Sequence, residues 1–260
     1  METTPTAWRS TGFAMKAYDA LAGHYDAFCL DVPYDEFLAF YRALFARAGI
    51  EPKLVLDLAC GTGEMTLRLA KAGYEVIGAD ISPEMLSVAA SKPCPEGAVP
   101  PVYICQPMEA LDLYGTIDAA VCCLDGVGYI TDKAKLARAF SRVKLFLNPG
   151  GVFIFDINSA RLLRSLDGAA FTRESEDAFC VYQGDYEEDS EIFTYTLDLF
   201  EKTGRLYRRT TEYHRERAYE AETLKQMLLD AGFYAVGIFA DRALHAPAEE
   251  EERIFFLAKA

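Results

Sequence analysis

Short apolar runs alternate with amphipathic stretches in the central part of the chain. The apolar runs have the length of strands, and they are Lys53–Leu58, Glu75–Ala79, Val102–Cys105, Ile117–Cys123 and Gly151–Ile157. The stretches between them have helical spacing, and they cover Gly63–Lys71, Pro83–Ser91 and Asp132–Leu147. Strands that alternate with helices in this way indicate right-handed crossovers and a parallel sheet. Because the strands are apolar throughout, we expect helices on both faces of the sheet, the doubly wound α/β class.

The segments on either side of this core have different patterns. Before it, Phe13–Ala48 is predicted to be helical, because Phe37, Tyr41 and Leu44 recur on one helix face. After it come three strand-like runs with no helix between them, namely Phe179–Gln183, Glu191–Glu201 and Arg205–Arg215. They predict an inserted antiparallel sheet with a hairpin turn at Gly204. The last predicted elements are one helix and two strands, over Glu220–Ala231, Tyr234–Ala240 and Arg253–Ala258.

These patterns divide the chain into four regions. We expect an N-terminal helical cap at residues 1–50 and a ligand-binding core at residues 51–160. An inserted antiparallel β lid follows at residues 161–215, and residues 216–260 return to the core. The stretch "GDYEEDSE" within the insert is strongly acidic, and we expect it to be a solvated loop.

The segment "VLDLACGTGE" places a glycine loop between the first strand and the helix that follows. A phosphate-binding P-loop ends in Gly-Lys-Ser/Thr, whereas this loop continues as Gly63, Glu64 and Met65. A dinucleotide-binding loop needs a third glycine, and Thr66 takes that position. Glu64 would also repel a pyrophosphate at the helix N-terminus. The loop therefore favours a ligand with positive charge and no phosphate, such as S-adenosylmethionine (SAM).

A carboxylate ends the second strand, in "EVIGAD". In dinucleotide enzymes a carboxylate at this place accepts hydrogen bonds from ribose hydroxyls, and Asp80 is suited to the same role. The alternative role for Asp80 is to cap the helix that begins in "DISPEM", for which Ser82 competes.

The composition narrows the class of partner. The formal net charge of −14 and the pI near 4.7 disfavour nucleic acid and anionic membranes as partners, so a small-molecule substrate is expected. Seven cysteines with no zinc-ligand spacing predict free thiols, a reducing compartment and no metal site. Neither an apolar leader nor an apolar run of transmembrane length is present in the sequence, and we expect a cytoplasmic protein.

The segment "VLDLACGTGEMTLRLAKAGYEVIGADISPEMLSVA" resembles the first two motifs of class I SAM-dependent methyltransferases. Nearly the whole chain is similar to their small-molecule branch, which includes sugar-amine and glycine N-methyltransferases. The similar segments are "YDALAGHYDAF" in the cap, "CCLDGVGYI", "LNPGGVFIFDIN" and "HRERAYEAETLKQMLLDAGF". The resemblance implies a seven-stranded sheet of order 3-2-1-4-5-7-6 with strand 7 antiparallel. It also implies SAM as cofactor and methyl transfer to nitrogen or oxygen of a small molecule.

The resemblance also implies a set of cofactor-binding residues. They are Tyr18, Tyr25, Asp57, Ala59, Gly61, Gly63, Asp80, Ile81, Met85, Gln106, Met108 and Leu124. The loop residues would line the methionine part, Asp80 would bind ribose, and Ile81 would pack on adenine. Pro107 departs from the family pattern, which often has an acidic residue there, so Met108 and backbone groups would recognise adenine. Tyr18 and Tyr25 would close over the cofactor, or they would only pack their helices.

Three residues are candidates for the chemistry. His214 ends the last strand of the insert, where it would act as a general base or would only shape the rim of a pocket. Asp125 would orient an amine and Tyr129 would contact the substrate, unless they serve in capping and packing. We also expect the insert to form a lid or a homodimer contact. Two alternative functions remain open from the sequence: a SAM-binding protein without catalysis, and a nicotinamide-dependent oxidoreductase.

Overall fold

The structure, a computed structural model, describes residues 17–260 of the chain. The α-helices are α1 (Tyr25–Phe28), α2 (Tyr34–Ala48), α3 (Glu64–Lys71), α4 (Pro83–Ser91), α5 (Lys133–Phe146), α6 (Ala160–Ser165) and α7 (Ala221–Asp230). The strands are β1 (Leu54–Leu58), β2 (Glu75–Asp80), β3 (Val102–Cys105), β4 (Ile117–Cys122), β5 (Leu147–Asn158), β6 (Ala170–Glu174), β7 (Ala178–Glu187), β8 (Ile192–Thr203), β9 (Leu206–Arg217), β10 (Ala235–Phe239) and β11 (Arg253–Lys259).

Seven strands form one sheet in the order β3-β2-β1-β4-β5-β11-β10. Strands β1 to β5 are mutually parallel where they pair, and β11 is antiparallel to both of its neighbours. This arrangement confirms the predicted doubly wound fold, with β10 and β11 as the sixth and seventh strands of the core. The carboxyl ends of β1, β2 and β4 meet at one edge, where open α/β sheets bind ligands.

Apolar side chains cover both faces of this sheet, because successive strand residues point to opposite sides. Val55 faces the cluster that includes Phe37 and Leu44 of α2, whereas its neighbour Leu56 faces the cluster that contains Phe140 of α5. Burial on both faces explains why the strands show continuous apolar runs in the sequence.

The insert is a separate antiparallel sheet of order β6-β7-β8-β9. The hairpin turn at Gly204 is confirmed by its φ of 63°. Two elements escaped sequence reasoning: α6, a short helix capped by Ser159, and the edge strand β6, whose residues are all exposed. The predicted acidic loop is shorter than expected, because its first four residues, 184–187, continue β7 and pair with β8.

The N-terminal segment differs from the predicted continuous helix over Phe13–Ala48, whose residues 13–16 lie outside the described part of the chain. A turn and a 3-10 helix at Leu21–Gly23 precede the short α1, and α2 begins only after Pro33. Proline lacks an N–H and restricts the residue before it, so it separates the two helices. We call residues 17–33 the cap segment. Its Leu21 and Phe28 pack against Cys180 and Leu197 of the insert, so the insert supports the cap segment.

The outward face of β9 carries exposed aromatic side chains, Tyr207 and Tyr213, beside Arg209. A homodimer contact through the insert stays a prediction. Among residues 17–260, no helix combines the length and the apolar character needed to cross a membrane.

The contact between α2 and the sheet centres on Phe255 of β11, whose ring is fully buried against the rings of Phe37, Phe40 and Tyr41. We expect Phe255→Ala to lower the free energy of unfolding by about 3–5 kcal/mol, because it removes buried surface and leaves a cavity. Leu145→Ala, at a side chain that is 60% exposed, is the matched control and should change it by less than about 0.5 kcal/mol. Urea unfolding measures both, and equal losses would contradict the assignment of Phe255 to the core.

Candidate active site

A cavity of about 500 Å³ lies at the carboxyl ends of the parallel strands, beneath the cap segment. Most of the residues predicted from the sequence line it, and these are Tyr18, Tyr25, Asp57, Ala59, Gly61, Asp80, Ile81, Met85, Gln106, Met108, Leu124 and Tyr129. Gly63, Asp125 and His214 do not line it. The residues predicted from the sequence therefore lie mostly around one cavity, and the other three lie outside its wall.

The glycine loop between β1 and α3 turns through left-handed backbone conformations, with φ of 51° at Ala59, 53° at Gly61 and 79° at Gly63. A Cβ at Gly61 would meet no atom within 4 Å, so this glycine leaves open space. At Gly63 a Cβ would come within 2.8 Å of the Tyr103 hydroxyl and 3.0 Å of Ala89. Gly63 therefore permits close packing of the loop against α4 and β3, rather than lining the cavity.

Asp80 connects the glycine loop to the end of β2. Its Oδ2 accepts a hydrogen bond from the Gly61 N–H at 2.8 Å, and its Oδ1 accepts one from the Ser82 N–H at 2.8 Å. The cap of α4 is Ser82, whose Oγ accepts from the Met85 N–H at 3.1 Å, so the alternative capping role of Asp80 is wrong. Each carboxylate oxygen has a second lone pair, and Asp80 lines the cavity. It can therefore accept further hydrogen bonds from a ligand.

Asp57 is a buried carboxylic group with one free oxygen. The Thr66 hydroxyl donates to its Oδ2 at 2.5 Å, which gives the residue in place of the third glycine a structural role. Its Oδ1 has no hydrogen-bond partner among the described residues. Burial raises the pKa of Asp57 to about 7, although the bond from Thr66 opposes this. An unpaired oxygen at the wall of a cavity fits a cationic ligand group, such as the ammonium of SAM.

Glu64 is not the isolated negative charge that the sequence argument assumed. Its carboxylate pairs with Arg68 and lies 2.7 Å from the Lys92 ammonium, which also lies 2.5 Å from Asp26 of the cap segment. Burial alone would raise the pKa of Glu64, but Lys92 and Arg68 hold it below its usual value. Because Glu64 is neutralised, its charge does not decide which cofactor binds, and the prediction that Glu64 would repel a pyrophosphate was wrong.

The adenine-side residues have different roles. Ile81 stands at the rim with 68% of its surface exposed, an apolar side chain available to a flat ligand. The Gln106 amide is occupied by both backbone groups of Asp112, at 2.8 and 3.3 Å, so only the remainder of Gln106 faces the cavity. Met108 lines the cavity and packs against the core.

The loop after β4 is held in an uncommon conformation. Leu124 and Asp125 have φ of 59° and 62°, a left-handed region that each non-glycine residue occupies at a cost of about 1–3 kcal/mol. Their N–H groups donate to the two oxygens of Asp156, at 3.0 and 3.3 Å. Asp156 is fully buried and pairs with Arg253. This ion pair fixes the loop that carries Leu124 to the wall of the cavity.

The three candidate catalytic residues lie close together at different depths. Tyr129 lines the cavity, and its hydroxyl lies 3.3 Å from Nδ1 of His214, which is buried behind it. The Tyr18 hydroxyl donates to the Tyr129 oxygen at 2.6 Å. Asp125 is buried deeper, where Asn158 donates to its Oδ2 at 3.2 Å. Burial and the neighbouring Glu216 raise the pKa of Asp125 well above its usual value.

Sequence reasoning missed two buried carboxylic residues of β9, Glu212 and Glu216. Both face inward together with His214, since residues at i, i+2 and i+4 of a strand share one face. The alternation in "EYHRE" was the available signal, because it places Glu, His and Glu on the side of the insert that faces the core. Glu212 contacts His214 at 3.0 Å, and Glu216 lies beside Asp125.

Comparison with known proteins agrees with this geometry. Residues 55–151 match the family described as a methyltransferase domain, a segment that contains the glycine loop and Asp80. A Bacillus subtilis (strain 168) protein named as the methyltransferase YqeM is 32% identical to this chain over 244 residues. The match covers 93% of this chain and 96% of that one.

Solved structures share the fold over similar lengths. An S-adenosylmethionine-dependent methyltransferase from Clostridium acetobutylicum ATCC 824 superposes with a TM-score of 0.81 at 31% identity, covering 93% of this chain and 98% of that one. The sugar N-methyltransferase KedS8 from Streptoalloteichus sp ATCC 53650 has a TM-score of 0.73 at 22% identity, covering 100% and 98% of the two chains, and so shares the fold. The chain belongs to the family of S-adenosylmethionine-dependent methyltransferases.

Proposed function

We propose that the enzyme transfers the methyl group to the nitrogen of a small-molecule amine, with an oxygen acceptor as the second candidate. The charge of the cavity wall carries this proposal. Five acidic residues line the cavity, namely Asp57, Glu64, Asp80, Glu109 and Asp132. Two of these charges are offset, because Lys135 lies 3.3 Å from Glu109 and Glu64 pairs with Arg68 and Lys92. The negative character of the wall therefore comes from Asp80, Asp132 and the ionised fraction of Asp57. Such a wall attracts amines and repels carboxylates and phosphates.

The cofactor half of the proposal rests on Asp80, Asp57 and Gly61. The Asp80 carboxylate, held by two backbone N–H groups, is suited to accept hydrogen bonds from the ribose hydroxyls. The free Oδ1 of Asp57 is suited to the ammonium, and the space at Gly61 allows a ligand to approach the backbone. Bound SAM supplies an activated methyl group on a sulfonium, so the protein mainly aligns the acceptor and excludes water.

The acceptor half rests on Tyr18, Tyr129 and His214. An amine reacts as a nucleophile only when its lone pair is free, so the site must hold it unprotonated or take its proton. Tyr18 and Tyr129 present hydroxyls at the wall, and His214 Nδ1 lies behind Tyr129 as a proton acceptor. In this proposal Tyr129 orients the acceptor and His214 receives the proton through Tyr129, while the buried Asp125 side chain connects its loop to Asn158. Tyr18 and Tyr25 close the cap segment over the ligands.

The test is transfer of labelled methyl from SAM to a panel of amines, phenols and carboxylic acids of similar size. We expect methylated amines and no methylated carboxylic acids, because the wall is acidic. Methylation of phenols alone would replace the nitrogen assignment by the oxygen candidate. Methylation of carboxylic acids would contradict the argument from charge.

Asp80→Asn should weaken SAM binding by about tenfold to a hundredfold, because it removes charged hydrogen bonds to the ligand and loosens the glycine loop. The matched control is Glu84→Gln, a carboxylate on the first turn of α4 that does not line the cavity. Titration calorimetry measures both, and circular dichroism shows that the fold is intact. Equal affinities of the two variants would remove Asp80 from the binding site.

Binding of SAM should release up to one proton near pH 6. The pKa of Asp57 in the free enzyme is raised to about 7, so the group is mostly protonated there, and a bound ammonium would lower that pKa and ionise it. Above about pH 8 the group is already ionised and the release should vanish. Calorimetry in two buffers of different ionisation enthalpy counts the proton. Asp57→Asn should abolish the release, and an unchanged proton count in that variant would exclude Asp57 as its source.

A further inference from the structure

One buried carboxylate joins the cap segment to the insert. Glu212 of β9 is fully buried, and its side chain accepts three backbone hydrogen bonds from the cap segment. The Tyr18 N–H donates to Oε2 at 2.9 Å, and the N–H groups of Ala20 and Leu21 donate to Oε1 at 2.6 and 3.2 Å. Burial alone would raise the pKa of Glu212, but bonds from His214 and these N–H groups lower it below its usual value. The group is therefore an ionised carboxylate.

The turn that presents these N–H groups forms around this carboxylate. Tyr18 has a φ of 71°, which orients successive N–H groups toward one point, the arrangement that binds anions in backbone nests. The same turn places the Tyr18 ring against the His214 ring, with centroids 4.6 Å apart. Without the carboxylate, the buried N–H groups of this turn would lose their acceptor. The closed position of Tyr18 thus depends on Glu212.

The fourth donor to Glu212 is the imidazole itself. His214 Nε2 lies 3.0 Å from Oε2 of Glu212, and an ionised carboxylate can only accept. In the neutral ring Nε2 therefore carries the hydrogen, and Nδ1 has a free lone pair. That lone pair faces the Tyr129 hydroxyl at 3.3 Å, and the Tyr18 hydroxyl donates to Tyr129. The hydrogen bonds then run in one direction, from Tyr18 through Tyr129 and His214 to Glu212.

We propose that Glu212 is a positioning residue that couples closure of the cap segment to the orientation of the proton-accepting His214. Its two oxygens do both tasks: Oε1 and Oε2 hold the backbone of the cap segment, and Oε2 also sets the hydrogen on Nε2 of His214. When the cap segment is closed, Tyr18 completes the row of hydroxyls at the cavity wall. The inference rests on the proposed role of His214, but its two readouts require no methyl acceptor.

The first readout is the protonation pattern of His214. Nitrogen-15 chemical shifts separate a ring nitrogen that carries hydrogen from one that does not, and His214→Gln identifies the signal among the three histidines. In the unaltered enzyme, above the pH at which the ring is charged, we expect hydrogen on Nε2. In Glu212→Gln the amide nitrogen should take the position of Oε2, which faces one N–H of the cap segment, rather than that of Oε1, which faces two. There it donates to Nε2 of His214, so Nε2–H should lose its dominance. Hydrogen on Nδ1 in the unaltered enzyme would overturn the proposal without any variant.

The second readout is the rate at which S-adenosylhomocysteine leaves the enzyme. Either orientation of the glutamine amide sets its N–H against an N–H of the cap segment, so we expect dissociation at least about tenfold faster. Glu201→Gln is the matched control, because Glu201 also joins the cap segment to the insert, through His24 at 3.3 Å, without touching His214. Glu201→Gln should leave the hydrogen on Nε2 of His214 and should change the dissociation rate by less than about twofold.

Three results would contradict the coupling. Equal acceleration in Glu201→Gln and Glu212→Gln would show a general loosening of the cap segment. A normal dissociation rate in Glu212→Gln would show that the cap does not depend on this carboxylate, and an unchanged histidine signal would separate Glu212 from the ring. Tyr18→Phe is the second variant: it keeps the backbone bonds to Glu212, so the hydrogen should stay on Nε2. If these readouts hold while no amine is methylated, the proposed function fails and the coupling stands.

Discussion

Buried carboxylates that accept backbone N–H groups hold the parts of this active site together. Asp80 binds the glycine loop, Asp156 binds the left-handed turn after β4, and Glu212 binds the cap segment. Burying a charge is costly unless hydrogen bonds replace the lost water, and backbone N–H groups in tight turns supply them. In each case one side chain fixes a loop that has no regular secondary structure. The shape of the cavity therefore depends on a few polar contacts placed on a rigid sheet.

The same constraint explains the electrostatic character of the site. Burial raises the pKa of Asp57, Asp125 and Asp156, whereas three N–H donors and His214 keep Glu212 ionised. Of these groups only Asp57 lines the cavity, and the other three lie buried behind its wall. A cationic cofactor offsets this negative potential, and an anionic one would add to it. The acidic wall agrees with the overall charge of −14 and with membership of the methyltransferase family.

Local pattern was enough to predict the parallel sheet, the glycine loop and the place of Asp80, because strand, loop and helix are contiguous in sequence there. Local pattern failed where contacts with segments distant in sequence determine the structure. The neutralisation of Glu64 depends on Lys92, the helix expected across Phe13–Ala48 is interrupted before Pro33, and the exposed strand β6 is set by its partner β7. The secondary-structure propensity of a short stretch of sequence carries no information about such distant partners. The alternation in β9 predicts that Glu212 and His214 share one face of the strand. It does not predict that Glu212 accepts hydrogen bonds from the cap segment.

The difference between local and distant contacts also distinguishes the cofactor side of the site from the acceptor side. The proposed cofactor side comes mainly from one continuous segment, the residues 55–151 that match the methyltransferase domain. The proposed acceptor side is assembled from Tyr18, Tyr129 and His214, which belong to the cap segment, the core and the insert. Changes in the cap or the insert can alter the acceptor side while the glycine loop and Asp80 stay intact. Since these three regions are distant in sequence, we expect acceptor specificity to depend on the contacts that Glu212 and Asp156 hold in place.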